Sequence, residues 1–293
     1  MIEELNKICN VQINAPLIKF NTYKLNSCCA FFCFANEKNI KEIIGVLNKY
    51  KMKYFILGNG SNVIIPTYYD GCIIKLENNK TYEIYDDEYV IVDSSYMINK
   101  LALELASNGY GGLDFLAGVP GTVGGCVYGN AGCYGNSISD VLIDVTVLDK
   151  GKIKVLKNEE LNFEYRNSIF KNKRNKMVIL SARFKINKGN KDEILSLIKE
   201  RAEKRRMTQD LEHPSCGSVF RNPEGLVAGK LIDEAGLKGY SIGGAMVSYK
   251  HANFIINNDN ASYEDIVSLI RYVKRKIKRV NNIDLILEQE IIK

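Results

Sequence analysis

Two glycine-rich stretches are the parts of this chain best suited to hold a ligand by its backbone. One is GNGSN, residues 58–62; the other is GVPGTVGGCVYGNAGCYG, residues 118–135, in which seven of eighteen residues are glycine. Small side chains let a ligand approach main-chain N–H groups, and runs of such donors make anion-binding concavities. With Ser61, Thr122 and Asn130 among them, the stretches suit a diphosphate held between two lobes. Neither fits the two common glycine fingerprints. The third glycine of a Rossmann motif falls on Val63 in the first stretch, Gly118, Gly121 and Gly124 miss the pattern in the second, and no GK[ST] follows either. A tight turn is the alternative for each loop alone. Two such loops, each at the end of a strand-rich unit, point instead to a nucleotide cofactor held without the Rossmann fingerprint.

The surrounding pattern supplies the scaffold. AFFCFA at 30–35 reads as a buried strand, Ile40, Ile43, Ile44 and Leu47 share a helical face, and YFIL at 54–57 reads as a second strand, so GNGSN closes a βαβ unit. Strands are predicted at 72–76, 81–85 and 89–93. A helix capped by Ser94 or Ser95 follows, with Ile98, Leu101, Ala102 and Leu105 on one side and Gly109 as its stop. Beyond the second glycine stretch, strands are predicted at 141–149, 152–156 and 177–186. Asn190 and Glu193 have capping-box spacing and open a helix running to Arg206, so a lobe boundary is placed near 188. Ser262 and Asp265 start a last long helix with Ile266, Leu269, Ile270, Val273 and Ile277 inward, and LILEQEIIK closes the chain as a strand.

Composition narrows the function classes. The 293 residues are 46% hydrophobic and 25% charged, ordinary for a soluble protein of two or three lobes. No apolar run is long enough to span a bilayer and MIEELNKI lacks signal-peptide character, so a cytoplasmic protein without a membrane partner is expected. Eight cysteines without a CxxC pair read as reduced, buried small residues. A net charge of +6 without a dense basic stripe favours an anionic small molecule over nucleic acid. Only His213 and His251 are present, so neither a histidine-ligated metal nor a serine–histidine relay is expected.

Six motifs in order, GNGSN, AGVPGTVGGCVYGNAGCYG, EYRNSIF, HPSCGSVFRNP, GLKGYSIGGAMVSYKHANFIIN and LEQE, closely resemble the UDP-N-acetylenolpyruvoylglucosamine reductase (MurB) family from about residue 21 onward. The short segment between Arg206 and Ser218 resembles the type II form. The resemblance implies an α+β fold: a PCMH/VAO-type FAD-binding domain of two α/β lobes plus a C-terminal α/β substrate-binding domain. The expected division is an N-terminal segment at 1–20, an FAD-binding domain at 21–188 (lobes about 21–76 and 77–188) and a substrate-binding domain at 189–293. Three departures stand out: Asn26 and Ser27 replace a usual glycine pair, Gly129 stands where methionine is frequent, and Tyr249 interrupts a usually polar stretch.

The implied activity is NADPH-dependent reduction, through FAD, of UDP-N-acetylglucosamine enolpyruvate to UDP-N-acetylmuramate, a step of peptidoglycan synthesis and hence of cell shape and division. FAD is expected on Gly58, Asn59, Gly60, Ser61 and Asn62, and on Gly118, Val119, Pro120, Gly121, Thr122, Gly124, Gly125, Asn130, Ala131 and Gly132. Hydride arriving at the enolpyruvyl methylene leaves enolate-like charge on the carboxylate, so cationic groups and a proton donor are needed. By the resemblance, Arg166 polarises the carboxylate, Ser218 delivers the proton and Glu290 is the acidic partner, which as an acid requires a raised pKa. Cys216, two residues before Ser218 and on the same face of an extended strand, is a competing thiol donor. Tyr165, Arg206, Asn222, Lys238 and His251 match substrate contacts of the family, and Lys230 is a further basic candidate. The competing readings are a PCMH-type oxidase, which often tethers FAD through a histidine, and a silent nucleotide-binding module. Neither histidine lies near the glycine loops, and a mere binder has no need of Arg166, Ser218 and Glu290 together.

Overall fold

A computed structural model describes residues 1–77, 81–172 and 176–293. Its first sheet has four strands in the order Val11–Pro16, Cys28–Ala35, Tyr68–Leu76, Tyr54–Leu57. The helix Ile40–Lys49 buries Ile40, Ile43 and Leu47, as its periodicity predicts. The strand Tyr68–Leu76 begins four residues before the predicted start at 72, and it lies between the two strands of the expected βαβ unit.

The second sheet has five antiparallel strands in the order Lys152–Lys157, Leu142–Asp149, Val178–Lys185, Tyr89–Asp93, Tyr82–Tyr85. Alternation along Val178–Lys185 puts Ala182 and Phe184 into the core that holds the helix Ile98–Ser107, and a register shift against the neighbouring strand brings Ile179 into the same core. That helix is not capped by Ser94 or Ser95. Its N-cap is Met97, while the Ser94 carbonyl accepts from the Gly124 amide at 2.8 Å and Ser95 bonds Asp93.

The third sheet, antiparallel in the order Ser215–Ser218, Phe254–Asn257, Ala245–Val247, Ser241–Ile242, packs against the helix Tyr263–Asn281. Ser262 and Asp265, at the expected helix start, form a capping box, typically worth about 1 kcal/mol. Ile266, Leu269, Ile270, Val273 and Ile277 are buried, each contributing roughly 1.5–3 kcal/mol of transfer free energy. The C-terminal strand is much shorter than predicted. Glu290–Ile291 pairs in parallel with Val63–Ile64, and Leu287 makes a single antiparallel bridge with Phe220.

By contact density the chain divides into two units. One comprises Met1–Val11, Cys33–Asn59 and Ile73–Glu203; the other comprises Gln12–Phe32, Gly60–Cys72 and Lys204–Lys293. Each has its own apolar core. No disulfide joins any of the eight cysteines, all of which are among the described residues. Among the described residues no helix is long and apolar enough to cross a membrane.

Candidate active site

In the first unit the two glycine stretches meet. The Asn59 side-chain amide donates to the Pro120 carbonyl at 2.7 Å, and a Cβ on Gly58 would come within 2.9 Å of Thr122 Oγ1. Lys75 Nζ donates to the Gly58 carbonyl at 2.8 Å and holds the turn from below. The long stretch is not all loop. Val123–Gly129 is a helix, capped by the Thr122 hydroxyl, which accepts from Gly125 N, and ended by Asn130 in the left-handed conformation.

Several glycines there answer to the protein itself. A Cβ on Gly124 would press on Ser94 at 3.0 Å, and one on Gly121 would sit 2.8 Å from Cys126 Sγ. Gly129 and Gly135 face open space. The main-chain N–H groups of Asn59, Gly121 and Thr122 find no acceptor among the described residues, and the buried Ser94 Oγ is likewise unpaired. Buried backbone donors are rarely left so. This donor set fits the phosphates and hydroxyls of a dinucleotide such as FAD.

Arg166 sits beside that helix end. The turn 164–167 is closed by bonds from Glu164 N to Asn167 O and back, with Arg166 in the left-handed region at φ 56°. Its guanidinium donates to the carbonyls of Asn130 and Gly132 and lies 5.2 Å from the Tyr165 ring centroid. Asn130 in turn donates to the Glu164 carbonyl at 2.9 Å. The same charge works against the burial that, together with Cys133, pushes the Cys126 thiol up to about 12. Tyr165 is exposed.

In the second unit, Gly60 has φ 68° and no room for a Cβ, which would overlap the Phe20 carbonyl. Amide groups of Gly60, Ser61 and Asn62 also find no acceptor among the described residues. The Asn62 carbonyl accepts from Glu290 N at 2.9 Å, and the Asn62 side chain donates to the Glu288 carbonyl. Glu290 is thereby fixed beside the loop by its backbone.

Ser218 ends its strand opposite Phe254, half-buried, with no hydrogen bond from its hydroxyl to any described residue. The expectation that Cys216 shares its face is not met. A register shift between Ser215 and Ser218, with Gly217 at φ 70°, breaks the alternation. Cys216 turns inward, 3.2 Å from Thr22 Oγ1 and 3.4 Å from the Val63 carbonyl, and burial pushes its thiol up to about 12. What separates it from Ser218 is this inward placement, not its acidity.

A second cluster lies in the same unit. Asn222 Oδ1 accepts from Ala228 N at 3.0 Å, at the start of the helix Ala228–Glu234. The next residue, Gly229, would place a Cβ 3.6 Å from His251 Cε1. His251 Nδ1 accepts from Asn253 N, and its ring packs on Phe254 at 4.5 Å. Burial, with help from the nearby Lys238 charge, lowers its pKa and keeps the imidazole neutral. Lys238 pairs with Asp233 at 2.7 Å, and Lys230 reaches Glu234 at 3.7 Å. Arg206 stands apart, exposed near the end of the helix Lys191–Thr208.

Four buried polar residues hold these groups without having been singled out from the sequence. Asn253 exchanges two side-chain bonds with the Phe220 backbone and so joins the segments that carry Ser218 and His251. Ser248 donates to Asp210 at 2.8 Å and accepts from the amides of Lys250 and His251. Burial would raise the Asp210 carboxyl, but bonds from His213 and Ser248 outweigh it and hold it below the usual range. Gln289 joins Tyr23 to Gly217. Of the departures from the family, Ser27 is buried and bonds the Ile65 carbonyl at 3.0 Å.

Comparison with known proteins matches this arrangement from both ends. The UDP-N-acetylenolpyruvoylglucosamine reductase C-terminal domain family matches residues 209–292, and the FAD binding domain family matches 29–157. The enzyme named UDP-N-acetylenolpyruvoylglucosamine reductase from Bacillus subtilis (strain 168) is 37% identical over 100% of this chain and 98% of its own. The chain belongs to the UDP-N-acetylenolpyruvoylglucosamine reductase family. A relative of the same name from Fervidobacterium nodosum is 39% identical over 97% of this chain and 93% of its own. The crystal structure of the reductase (MurB) from Thermus caldophilus superposes with a TM-score of 0.81 at 30% identity, covering 97% of this chain and 99% of that one. Phl p 4.0202, a glucose dehydrogenase, superposes at a TM-score of 0.50 and 14% identity over 65% of this chain and 44% of its own, a likeness of fold alone. The fold is α+β with a PCMH/VAO-type FAD-binding part, and the chain is an FAD-containing oxidoreductase acting on a UDP-sugar in peptidoglycan synthesis.

Proposed function

We propose that this chain takes NADPH as its hydride source, reduces the enol ether of UDP-N-acetylglucosamine enolpyruvate and protonates the product from Ser218, in the cytoplasm. The observation that carries this reading is the placement of Ser218. Its half-buried hydroxyl has no hydrogen-bond partner among the described residues, in the unit where Glu290 is anchored to the glycine loop at Asn62. An unengaged hydroxyl can turn toward a substrate carbon.

The chemistry supplied by FAD, when bound, is relay of hydride from NADPH to the terminal methylene carbon. Residues 21–188 are assigned to holding it and residues 189–293 to the substrate. The unpaired amides at Asn59–Asn62 and Gly121–Thr122 donate to its diphosphate, and the neighbouring backbone from Gly118 to Gly132 forms the adjoining wall. Arg166, its side chain held by the carbonyls of Asn130 and Gly132, donates its remaining N–H groups to the substrate carboxylate and stabilises the enolate-like charge. Ser218 gives its proton to the carbon next to that carboxylate, and Glu290 assists as the acidic partner. Asn222, Lys238 and His251 bind the sugar and diphosphate, with Tyr165 and Arg206 as outer contacts.

The test is spectroscopic. Purified protein, reconstituted with FAD, is expected to show flavin absorbance that NADPH bleaches anaerobically and the enolpyruvyl sugar nucleotide restores. Failure to bind FAD, or bleaching that this substrate leaves unchanged, contradicts the proposal.

A further inference from the structure

Gln289 is 3% exposed, in a chain segment whose neighbour Glu290 is half-buried. Its side chain is held at both ends. The Tyr23 hydroxyl donates to Gln289 Oε1 at 2.9 Å, and Gln289 Nε2 donates to the Gly217 carbonyl at 3.2 Å. Tyr23 is fully buried, so its hydroxyl has no water to turn to, and burial raises its pKa well above the usual value. It stays a donor, which fixes the amide with its oxygen toward Tyr23 and its nitrogen toward Gly217.

Gly217 is the hinge of the bulge. Its φ of 70° is what parts Ser218 from Cys216, and a Cβ there would meet nothing within 4 Å, so side-chain packing does not set its conformation. The carbonyl that Gln289 grips belongs to the peptide whose nitrogen is that of Ser218. Orientation of this peptide therefore sets the direction of the Ser218 side chain. On the other side, Glu290 N bonds Asn62 O at 2.9 Å.

We propose that Gln289 is a positioning residue for proton delivery, clamping the Gly217–Ser218 peptide so that the Ser218 hydroxyl keeps one direction. The inference rests on Ser218 as the proton donor. Small displacements of a reacting group cost rate steeply, and losing the clamp strands a buried phenol as well.

The experiment uses FAD-loaded full-length protein and the variants Gln289→Met, Tyr23→Phe, Ser218→Ala and Gln289→Met/Ser218→Ala. Gln289→Met is expected to slow substrate-driven flavin reoxidation about 10- to 100-fold, with NADPH-driven reduction and substrate KM within about twofold. Amide hydrogen exchange across 217–219 speeds up, a readout independent of turnover. In the Ser218→Ala background the Gln289 change is expected to add no further slowing of reoxidation. Equal slowing of both half-reactions, an additive double variant or unchanged exchange at 217–219 overturns the proposal. If Gln289→Met does not fold, Tyr23→Phe is read by the same criteria, with a smaller effect expected. Ser218→Ala with full turnover defeats the proton-donor reading instead, while the exchange measurement still reports whether Gln289 holds the peptide.

Discussion

Asn130 and Arg166 hold each other in left-handed backbone conformations. Asn130, at φ 44°, donates its side-chain amide to the Glu164 carbonyl at 2.9 Å, and Arg166, at φ 56°, returns a guanidinium N–H to the Asn130 carbonyl at 3.4 Å. The helix end in the glycine-rich stretch and the EYRNS turn are thus one structure. Left-handed backbone costs most residues about 1–2 kcal/mol, and Asn tolerates it better than most. Asn130→Ala is accordingly expected to destabilise by about 1–3 kcal/mol and Asn130→Gly by less, measured by urea unfolding. Equal losses would mean that the backbone conformation is not what Asn130 supplies.

The fork of Arg166 is already committed on one side to two carbonyls, so its geometry matters as well as its charge. Arg166→Lys is expected to lower kcat about 10²- to 10³-fold, as removal of a donor to developing negative charge does, with FAD binding unchanged. Stopped-flow measurement of substrate reduction checks this, and activity near that of the parent would remove Arg166 from the role.

Glycines in the two stretches divide by what surrounds them. Gly60→Ala forces a Cβ against the Phe20 carbonyl at a φ of 68°, so loss of folded, FAD-binding protein is expected. Gly129→Ala meets open space inside a helix and is expected to raise stability by roughly 0.5–1 kcal/mol. Thermal unfolding of the two apoproteins, side by side, checks the contrast.

His251 gives a pH dependence whose sign is set by burial. Its folded pKa lies below the unfolded value, so its contribution to stability is present above about 6.5 and is lost as pH falls through the folded value. The unfolded state binds the extra proton in that window. Tm is therefore expected to fall between about pH 7 and 5, and His251→Gln to flatten part of that slope. A slope unchanged in the variant would show that the ring is not held neutral.

Much of the framework was legible in the sequence because apolar periodicity reports which face is buried. The helices at 40–49, 98–107 and 263–281 and the strands at 89–93, 142–149 and 178–185 follow that signal. The helix Val123–Gly129 was hidden because glycine lowers helix propensity; tertiary contacts with Tyr96 and Ser94 hold it instead. The C-terminal strand was overread, since LILEQEIIK alternates convincingly but finds a ladder partner only at Glu290–Ile291. Cys216 was misplaced because a period-two pattern cannot register a bulge at a left-handed glycine. Asp210, Ser248, Asn253 and Gln289 were passed over because a buried polar residue looks like any surface polar residue until its partners are known. The two glycine-rich stretches pointed to a nucleotide site; it was the ordered motifs, not periodicity, that pointed to Arg166, Ser218 and Glu290.

The most direct measurement separates the two halves of the reaction in Ser218→Ala, with Cys216→Ala as control. NADPH is expected to bleach the flavin of both variants at the parental rate. Reoxidation by the enolpyruvyl sugar nucleotide is expected to fall about 10²- to 10⁴-fold in Ser218→Ala, the usual worth of a positioned acid, and to stay within about threefold in Cys216→Ala. Parental reoxidation in Ser218→Ala, or its loss in Cys216→Ala alone, would contradict the account.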